Sequence, residues 1–522
     1  MNFANETSRE GRRPGWVVPL VVGLLQLLVL IFIARQHPIG AFATETDFYH
    51  LYAPDAERLA DGRFPENPFQ GPGYPALLAA IVKLTGLDLF TAGKWLSVLC
   101  AIGCGLLIFV LFQRLFGYWV GVGAQAIMIV SGEFPQFSIN ATTDLFFLLL
   151  CLGTLIVLTG EWPALRWRIG LAGALGGITY LTRYNGLFLL VVTGLAIVLL
   201  NLFEQGWRER LVLAAILIAA FLTAASPWLY ANYRHRGSPF YNTNYLNLAT
   251  EFYPELVAGK TNQDGTRLLE QKFHSFGEVL AYDPGRIIKH YPLNLYENLR
   301  NSIRDGLVNQ WVGWVALVGI ALALIRRRTK SLWLLLMAGA AYLMLMSLNH
   351  WEVRYYFFVM ALYAGFAVYA VSQAVRERWI PAKSPAAVWI SVGLFAAIWG
   401  LSFAESRRDV KKFLGGQPLE VIAARDYLSQ AHPAGSRLRI VARKPHLPYL
   451  SGSEWIFFPQ VKSIDDFRVW VAENRIDYIA IGRRELRERK ELAPLGDPTK
   501  APDWIKAVWM NSDPLLILYK PN

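Results

Sequence analysis

The stretch WVVPLVVGLLQLLVLIFIA at residues 16–34, which continues into RQHPIGAFATETDFYH at residues 35–50, decides the fold class. Its first part carries no charge, and a helix that crosses roughly 30 Å of hydrocarbon needs about 20 apolar residues. A signal peptide has a shorter apolar part and a small-residue cleavage site. We therefore expect a first transmembrane helix, followed by an acidic loop close to the membrane surface.

Ten further apolar runs follow the first one. The chain of 522 residues is 54% hydrophobic and only 17% charged, and its mean hydropathy is +0.30. Soluble domains are about one quarter charged, so this composition excludes an ordinary soluble enzyme. It predicts a polytopic α-helical membrane protein with about eleven transmembrane helices. The later runs are 95–113, 118–134, 145–160, 169–182, 184–203, 211–233, 306–325, 331–351, 355–374 and 384–404.

Basic residues fall in every second loop between these runs, and cytoplasmic loops are the ones enriched in Lys and Arg. The alternation predicts a cytoplasmic N-terminus and large outer segments at 36–91, at 234–305 and after 404. We expect the inner (plasma) membrane of a bacterium. The net charge of +12 then reflects topology, and no nucleic-acid partner is predicted. The basic positions are Arg9, Arg12, Arg13, Arg114, Arg166, Arg168, Arg208, Arg210, Arg326–Arg328, Lys330, Arg376 and Arg378.

The C-terminal residues 405–522 have the composition of a soluble domain. PLEVIAARDYLSQA from Pro418 and DDFRVWVAENR from Asp465 have the pattern of amphipathic helices, whereas RLRIVAR from Arg437 and IDYIAIG from Ile476 have that of strands. The sequence therefore predicts two domains. Residues 1–404 form the transmembrane domain with its outer loops, and residues 405–522 form a small extracytoplasmic α/β domain.

The first outer loop carries the main catalytic candidate. Asp47 lies about a dozen residues past the end of the first apolar run, where a carboxylate would face the outer aqueous side. A single acid at such a surface is more often a solvated charge, and that alternative stays open. Glu45 is the nearest other acid, and we place it outside the site. The segment GPGYP at residues 71–75 predicts a turn that leads into an apolar helix.

Three ionisable residues open or close apolar runs at the outer side. Fourteen residues separate Arg183 from Arg168, which is about 21 Å of helix and less than the hydrocarbon thickness. A charge at that depth should face a protein cavity, unless the side chain snorkels to the surface. Arg354 raises the same two alternatives. Asp144 either joins the site or caps the helix that it begins.

The second outer loop contains YDPGRIIKHYPLNLYENLR from Tyr282. Its cations alternate with aliphatic and aromatic residues, which is typical of a helix lying at the lipid headgroups. Lys289 or His290 could there contact the phosphate of a lipid substrate, or the helix could be an ordinary surface element.

The order of these motifs resembles the GT-C superfamily of lipid-dependent glycosyltransferases, in particular the family of protein mannosyltransferases and the bacterial aminoarabinose transferase. The acidic first loop and the GPGYP turn carry the resemblance, together with motifs that follow in the same order. These are TTDLFFLLL from Thr142, YLTRYNGLFLL from Tyr180, SPWLYANYRHRGSPF from Ser226, HWEVRYYFFVMALYA from His350 and ARKPHLPYLSG from Ala442.

The resemblance implies an integral-membrane hexosyl- or pentosyltransferase. It would move a sugar from a polyprenyl-phosphate donor to an acceptor on the outer face, with inversion and with Asp47 as the general base. The family often has Asp-Glu where this chain has Asp47-Phe48, and some members have Lys where it has Gln70. The residues that would bind the donor phosphate or sugar are Arg183, Arg354, Tyr355, Lys289, His290, Tyr74 and Asp144.

Two other classes remain open, a secondary transporter or lipid flippase and a polysaccharide ligase or polymerase. Transporters tend to have repeated halves and polar groups near the midplane, and this sequence has no visible repeat. The chain has no P-loop or dinucleotide fingerprint, and we predict no certain cofactor. No metal ligands are assigned, although some GT-C enzymes bind a divalent metal. The predicted partners are the lipid-linked donor, membrane lipids and an acceptor that is a lipid, a glycan or a protein.

Overall fold

The computed structural model describes residues 15–162, 164–304, 306–376, 385–433 and 435–522. Helices make up the chain as far as residue 415, and a small sheet domain follows. The helices of the first part are α1 (Val17–Ala34), α2 (Ala53–Ala60), α3 (Gly73–Thr85), α4 (Leu89–Phe116), α5 (Tyr118–Met128), α6 (Phe134–Phe137), α7 (Asp144–Thr159), α8 (Leu165–Thr182), α9 (Leu187–Val198), α10 (Trp207–Arg236), α11 (Tyr245–Phe252), α12 (Asn262–Lys272), α13 (Phe276–Tyr282), α14 (Pro284–Arg304), α15 (Gln310–Arg326), α16 (Lys330–Met346), α17 (Phe357–Arg376) and α18 (Pro385–Gly415).

Each of the eleven predicted runs overlaps one of these helices. Five described segments are long and apolar enough to cross a membrane by length and composition, and five shorter apolar helices accompany them. The predicted class, a polytopic helical membrane protein with a small C-terminal sheet domain, is confirmed; the number of spans stays a prediction. The five long segments are Val17–Ala34, Leu89–Phe116, Trp207–Arg236, Val353–Gln373 and Trp389–Ala431.

The boundary between α3 and α4 shows how local sequence sets the helix ends. Gly86 ends α3 with a φ of +72°, a backbone conformation that favours glycine. The Asp88 carboxylate then accepts a hydrogen bond from the Thr91 N–H at 2.9 Å and caps α4. These two features end one helix and begin the next within four residues, and α4 then continues for 28 residues.

Small residues bring α8 and α10 into close contact. A Cβ atom placed on Gly177 would lie 2.7 Å from the carbonyl oxygen of Phe221 and 2.8 Å from the Cβ of Ala224. A larger side chain would therefore push the two helices apart. This packing fixes the direction of α8 and hence the position of Arg183, which follows its last residue.

The tail folds into a five-stranded sheet with helices on its faces. The strand order is β2-β1-β3-β5-β4, with β1 parallel to β2 and β3, and with β5 antiparallel to β3 and β4. The two helices and two strands predicted from sequence are all present. The elements are α19 (Leu419–Ala431), β1 (Arg439–Val441), α20 (His446–Leu450), β2 (Glu454–Ile456), α21 (Ile464–Glu473), β3 (Tyr478–Gly482), α22 (Arg483–Glu488), β4 (Ile505–Ser512) and β5 (Leu515–Pro521).

The domain packs directly on the first outer loop. Ile39 of that loop is buried in the same apolar cluster as Val421 and Leu428 of α19. The helix α18 runs to Gly415, so the boundary that we predicted at residue 404 lies inside a continuous helix. The domain is therefore joined to the bundle by a helix and by an apolar contact rather than by a loose linker.

The three predicted outer segments meet at one end of the bundle. Lys444 of the C-terminal domain donates a hydrogen bond to Thr46 Oγ1 of the first loop at 2.9 Å. The second loop contacts the domain through an ion pair of 3.5 Å between Asp264 and Arg489. The three segments were predicted to lie on the same side of the membrane, and their contacts agree with that. The cytoplasmic location of the other end and the location in a bacterial inner membrane stay predictions.

Candidate active site

Asp47 lies where the first loop, the second loop and the C-terminal domain converge. It precedes the short helical turn Phe48–Tyr52, and 30% of its side chain is exposed. It lines a cavity of about 710 Å³ together with His50 and Lys444. Burial raises the pKa of the Asp47 carboxyl, and the positive charge of Arg354 opposes that rise. A partly desolvated carboxylate that remains open to a cavity is suited to accept a proton.

Glu45 has a different environment although it is only two residues away. Its side chain is fully buried and pairs with His37 Nε2 at 2.8 Å. It also accepts hydrogen bonds from the backbone N–H groups of Ala41 at 2.8 Å and Ala141 at 2.7 Å. Glu45 therefore holds the loop against the segment before α7, and its oxygens are already occupied.

Two arginines flank the ring of Tyr355. The guanidinium carbons of Arg183 and Arg354 lie 5.0 and 5.1 Å from the centre of that ring. Each side chain is 13% exposed. Arg354 also approaches the Asp47 carboxylate at 3.6 Å and forms an ion pair with Glu352. The structure thus brings Asp47, Arg183, Arg354 and Tyr355 into one cluster.

Asp144 holds Arg183 in place. Its carboxylate forms an ion pair with Arg183, and only 1% of its side chain is exposed. Asp144 begins α7 and Arg183 follows the end of α8, so the pair joins two helix ends on the side of the bundle that carries Asp47. Asp144 therefore acts on the cluster through Arg183. A charge pair at this depth is what the short distance from Arg168 to Arg183 predicts.

The GPGYP turn packs against the end of α8. A Cβ atom on Gly71 would overlap the carbonyl oxygen of Leu181, and one on Gly73 would lie 2.9 Å from the same group. The turn therefore needs glycine at both positions, and it places Gln70 beside Arg183. Both residues line a small cavity of about 60 Å³. Its other lining residues are Phe69, Tyr184, Asn185, Asn244, Asn247, Met346, Asn349 and Tyr355.

Three of the predicted ligand-binding residues lie apart from this cluster. Tyr74 is fully buried, and its ring packs edge-on against Tyr52 at 5.2 Å. Lys289 and His290 are exposed on α14. Among the described residues, neither forms an ion pair or hydrogen bond with Asp47, Arg183 or the residues around them. A direct role of these three residues in binding stays a prediction.

Sequence analysis assigned no role to Glu352 or Lys444. Burial opposes ionisation of Glu352, but its hydrogen bond to His350 and the charge of Arg354 lower its pKa to about 2. Burial and the repulsion of Arg443 lower the pKa of Lys444 to about 8. Glu352 could have been found from its place two residues before Arg354. Lys444 is 398 positions from Thr46, and no local pattern predicts that contact.

The acids around Asp47 do not suit a divalent cation. Asp47 and Glu352 both face Arg354, while Asp144 faces Arg183. A metal ion bound to these carboxylates would lie beside two guanidinium groups, and the repulsion would be large in so buried a place. In the parts of the chain described here, no group of three or more His, Cys, Asp or Glu side chains is arranged to hold a metal.

The chain was compared with known families and structures. Residues 68–230 match the family described as dolichyl-phosphate-mannose-protein mannosyltransferase. No curated protein sequence matches the chain. The fold is similar to that of ArnT from Cupriavidus metallidurans bound to undecaprenyl phosphate, with 14% identity, a TM-score of 0.58 and coverage of 97% of this chain and 98% of that one.

A second similar structure is the archaeal oligosaccharyltransferase AglB from Archaeoglobus fulgidus, solved with an inhibitory peptide and a dolichol-phosphate. It is 12% identical, with a TM-score of 0.61, over 90% of this chain and 70% of that one. Identities this low establish the fold. The predicted resemblance is confirmed at the level of the fold, and the match to the mannosyltransferase family covers residues 68–230.

Proposed function

We propose that this protein of GT-C fold is a glycosyltransferase that moves a sugar from a polyprenyl-phosphate donor to an acceptor on the outer face. The observation that carries the proposal is the approach of Arg354 to Asp47 at 3.6 Å, with both Arg354 and Arg183 in contact with the ring of Tyr355. A carboxylate that faces a cavity thus adjoins a pair of arginines that could neutralise a leaving phosphate.

In this mechanism, Asp47 accepts the proton of an acceptor hydroxyl. The acceptor oxygen then attacks the anomeric carbon of the donor sugar from the face opposite the phosphate. The bond from that carbon to the phosphate oxygen breaks, and the configuration at the carbon inverts. Arg183 and Arg354 stabilise the negative charge of the departing lipid phosphate, and Tyr355 keeps the two guanidinium groups apart and oriented.

The placement of the polar groups favours this function over transport. A secondary transporter is expected to carry its polar site near the middle of the membrane, between repeated halves. Here Asp144 and Arg183 lie at helix ends, and Asp47 and Arg354 lie in the segments that join helices on the same side. A soluble domain covers that side and supplies Lys444 to the first loop.

Asp47→Asn tests the proposal because it keeps the size of the side chain and removes its basicity. We expect transfer to fall about 10² to 10⁴-fold, as is typical when a general base is lost. The assay uses the purified full chain in nanodiscs and measures labelled sugar that passes from undecaprenyl-phosphate-linked mannose, galactose or arabinose to membranes of a strain that lacks the protein.

Asp61→Asn is the matched control. Asp61 lies in the same loop, is exposed and pairs with Arg63 on the surface. The Asp61→Asn variant should transfer sugar at the wild-type rate. Both Asp61→Asn and Asp47→Asn should keep the wild-type melting temperature. Full transfer by Asp47→Asn would overturn the mechanism.

A further inference from the structure

The large cavity beside Asp47 has a chemistry of its own. We propose that it binds the acceptor, and that the acceptor is an acidic glycan, an oligosaccharide with carboxylate or phosphate groups. This inference rests on the proposed transfer reaction and deepens it by assigning the second substrate. It is carried by the position of the cavity, by its aromatic wall and by cations that form no ion pair with a carboxylate in the described part of the chain.

The position separates the two substrates. Asp47 lines the cavity of about 710 Å³, whereas Arg183 and Tyr355 line the smaller one at the helix ends. The large cavity is formed by the first loop, by residues 259–270 of the second loop and by the C-terminal domain. A donor phosphate at the arginines and an acceptor in this cavity would meet near Asp47, which lines the large cavity and pairs with Arg354. The volume lies in the range of sites that hold small ligands such as short oligosaccharides.

One wall of the cavity is a fixed aromatic surface. Trp455 donates its indole N–H to the carbonyl oxygen of Ala442 at 2.7 Å, which sets the orientation of the ring. Its ring meets His50 at 4.7 Å and Phe457 at 4.2 Å. Because the indole N–H is already bonded, the wall offers the acceptor mainly apolar ring surface. A rigid surface of this kind suits the C–H face of a sugar ring and costs little conformational entropy on binding.

The charges around the cavity are of two kinds. Arg443 pairs with Glu485 at 2.7 Å, and Arg484 pairs with Glu488 at 2.5 Å, so these cations are neutralised. Three others lie at the cavity with no ion pair to a carboxylate of the described residues. They are Lys260, Arg267 and Lys444.

Arg267 lies over the ring of Phe457 at 5.6 Å, so a free cation adjoins the aromatic wall. Lys444 is tied by its hydrogen bond to Thr46, next to Asp47. Positive charge is in surplus at the cavity, because six cations line it and only four acids do. The acids are Asp47, Glu270, Glu485 and Glu488. Aromatic faces alone would suit a neutral sugar. The adjacent free cations indicate a sugar that carries negative groups.

The test measures binding of defined probes to the full chain in nanodiscs by quenching of tryptophan fluorescence. Tetragalacturonate supplies carboxylates and mannopentaose phosphate supplies a phosphate. Maltotetraose is the neutral sugar, and hexaglutamate is an acidic peptide. We expect one or both acidic glycans to bind at least about tenfold more tightly than the other two probes, with an affinity that falls as salt rises. Which one binds identifies the acidic group.

The double variant Lys260→Gln/Arg267→Gln should weaken that binding about tenfold, because two partly exposed charge contacts are lost. Arg468→Gln, an exposed cation of α21 outside the cavity, removes a similar charge and should bind as the wild type does. Equal binding of maltotetraose, tighter binding of hexaglutamate, or no effect of the double variant would each overturn the inference.

The outcome is separable from that of the proposed function. If Asp47→Asn stops transfer while no acidic glycan binds, the acceptor assignment fails and the transfer reaction stands. A second outcome is that an acidic glycan binds, that the double variant loses this binding, and that Asp47→Asn transfers sugar normally. The glycan site would then be supported, and the role of Asp47 as general base would be wrong.

Discussion

The two ends of the helix bundle use arginine in opposite ways. At the end that carries the C-terminal domain, Arg183 and Arg354 are mostly buried and face carboxylates and Tyr355. At the other end, Arg114 is exposed and donates to the carbonyl oxygen of Ile156 at the end of α7. Arg166 there forms an exposed pair with Glu209.

The difference separates charges that set topology from charges that serve a site. Exposed cations at one end donate to free carbonyl groups of helix ends, and their number is the basis for predicting that this end is cytoplasmic. At the other end, Arg183 and Arg354 are mostly buried and each faces an acid. Burying a charge in a membrane protein is costly, and such charges are found where a partner or a ligand compensates for the lost hydration. Each prediction below tests one side of this contrast.

The largest effect is expected from topology reporters, whose signal is all or none. A reporter fused after Asn522 should be active only outside the cytoplasm, and one inserted at Arg327 only inside it, because the two sites lie at opposite ends of the bundle. Alkaline phosphatase and green fluorescent protein fusions in whole cells measure this. Activity of both insertions on one side would contradict the assignment of the ends.

The second-largest effect is expected from the variant Arg183→Ala. Its removal leaves Asp144 buried without its partner and takes one cation from the proposed phosphate site, a loss of about 2 to 5 kcal/mol in donor use. Arg166→Ala removes an exposed arginine from the other end and should leave donor use unchanged. Binding of undecaprenyl phosphate and the transfer rate are measured for both at matched protein levels. Equal behaviour of the two variants would mean that Arg183 is only a membrane anchor.

Glu45→Gln compares two acids of the same loop. An amide cannot accept all three hydrogen bonds of the buried carboxylate, so the free energy of unfolding should fall by about 1 to 3 kcal/mol. Asp47→Asn should leave stability unchanged and stop transfer. Thermal melts in detergent and transfer assays separate the effects. A loss of transfer in Glu45→Gln at wild-type stability would show that Glu45 belongs to the reacting groups.

The smallest effect concerns pH. Lys444 has a pKa lowered to about 8, so its charge is present below that pH and is lost as the pH rises through it. The charged groups that act on it are Arg443, Arg484, Asp47 and Glu488. Binding of tetragalacturonate should therefore weaken severalfold between pH 7 and pH 9. Lys444→Arg should remove this dependence, whereas an unchanged pH profile in that variant would assign it to another group.

Much of the fold follows from the sequence because the membrane restricts the alternatives. A long apolar run satisfies its own backbone hydrogen bonds in a membrane when it forms a helix, and a described helix overlaps each of the eleven runs. The strands at Ile440 and Ile479 were also predicted, because alternation of apolar and polar residues is a local signal. The strands β4 and β5 were not predicted, since their hairpin has no strong turn signal apart from Asp513-Pro514.

The sequence by itself determined the apolar helices and placed Asp47, Arg183 and Arg354 at the same end of them; that this end is the outer one stays a prediction. Only the tertiary structure decided that Glu45 points inward to His37 while Asp47 faces a cavity, because neither the turn nor the spacing distinguishes two acids that are two residues apart. It also decided that Lys444 reaches the first loop. The physical reason is that membrane partitioning acts on each segment separately, whereas burial and pairing of charges depend on contacts between segments that are distant in the chain.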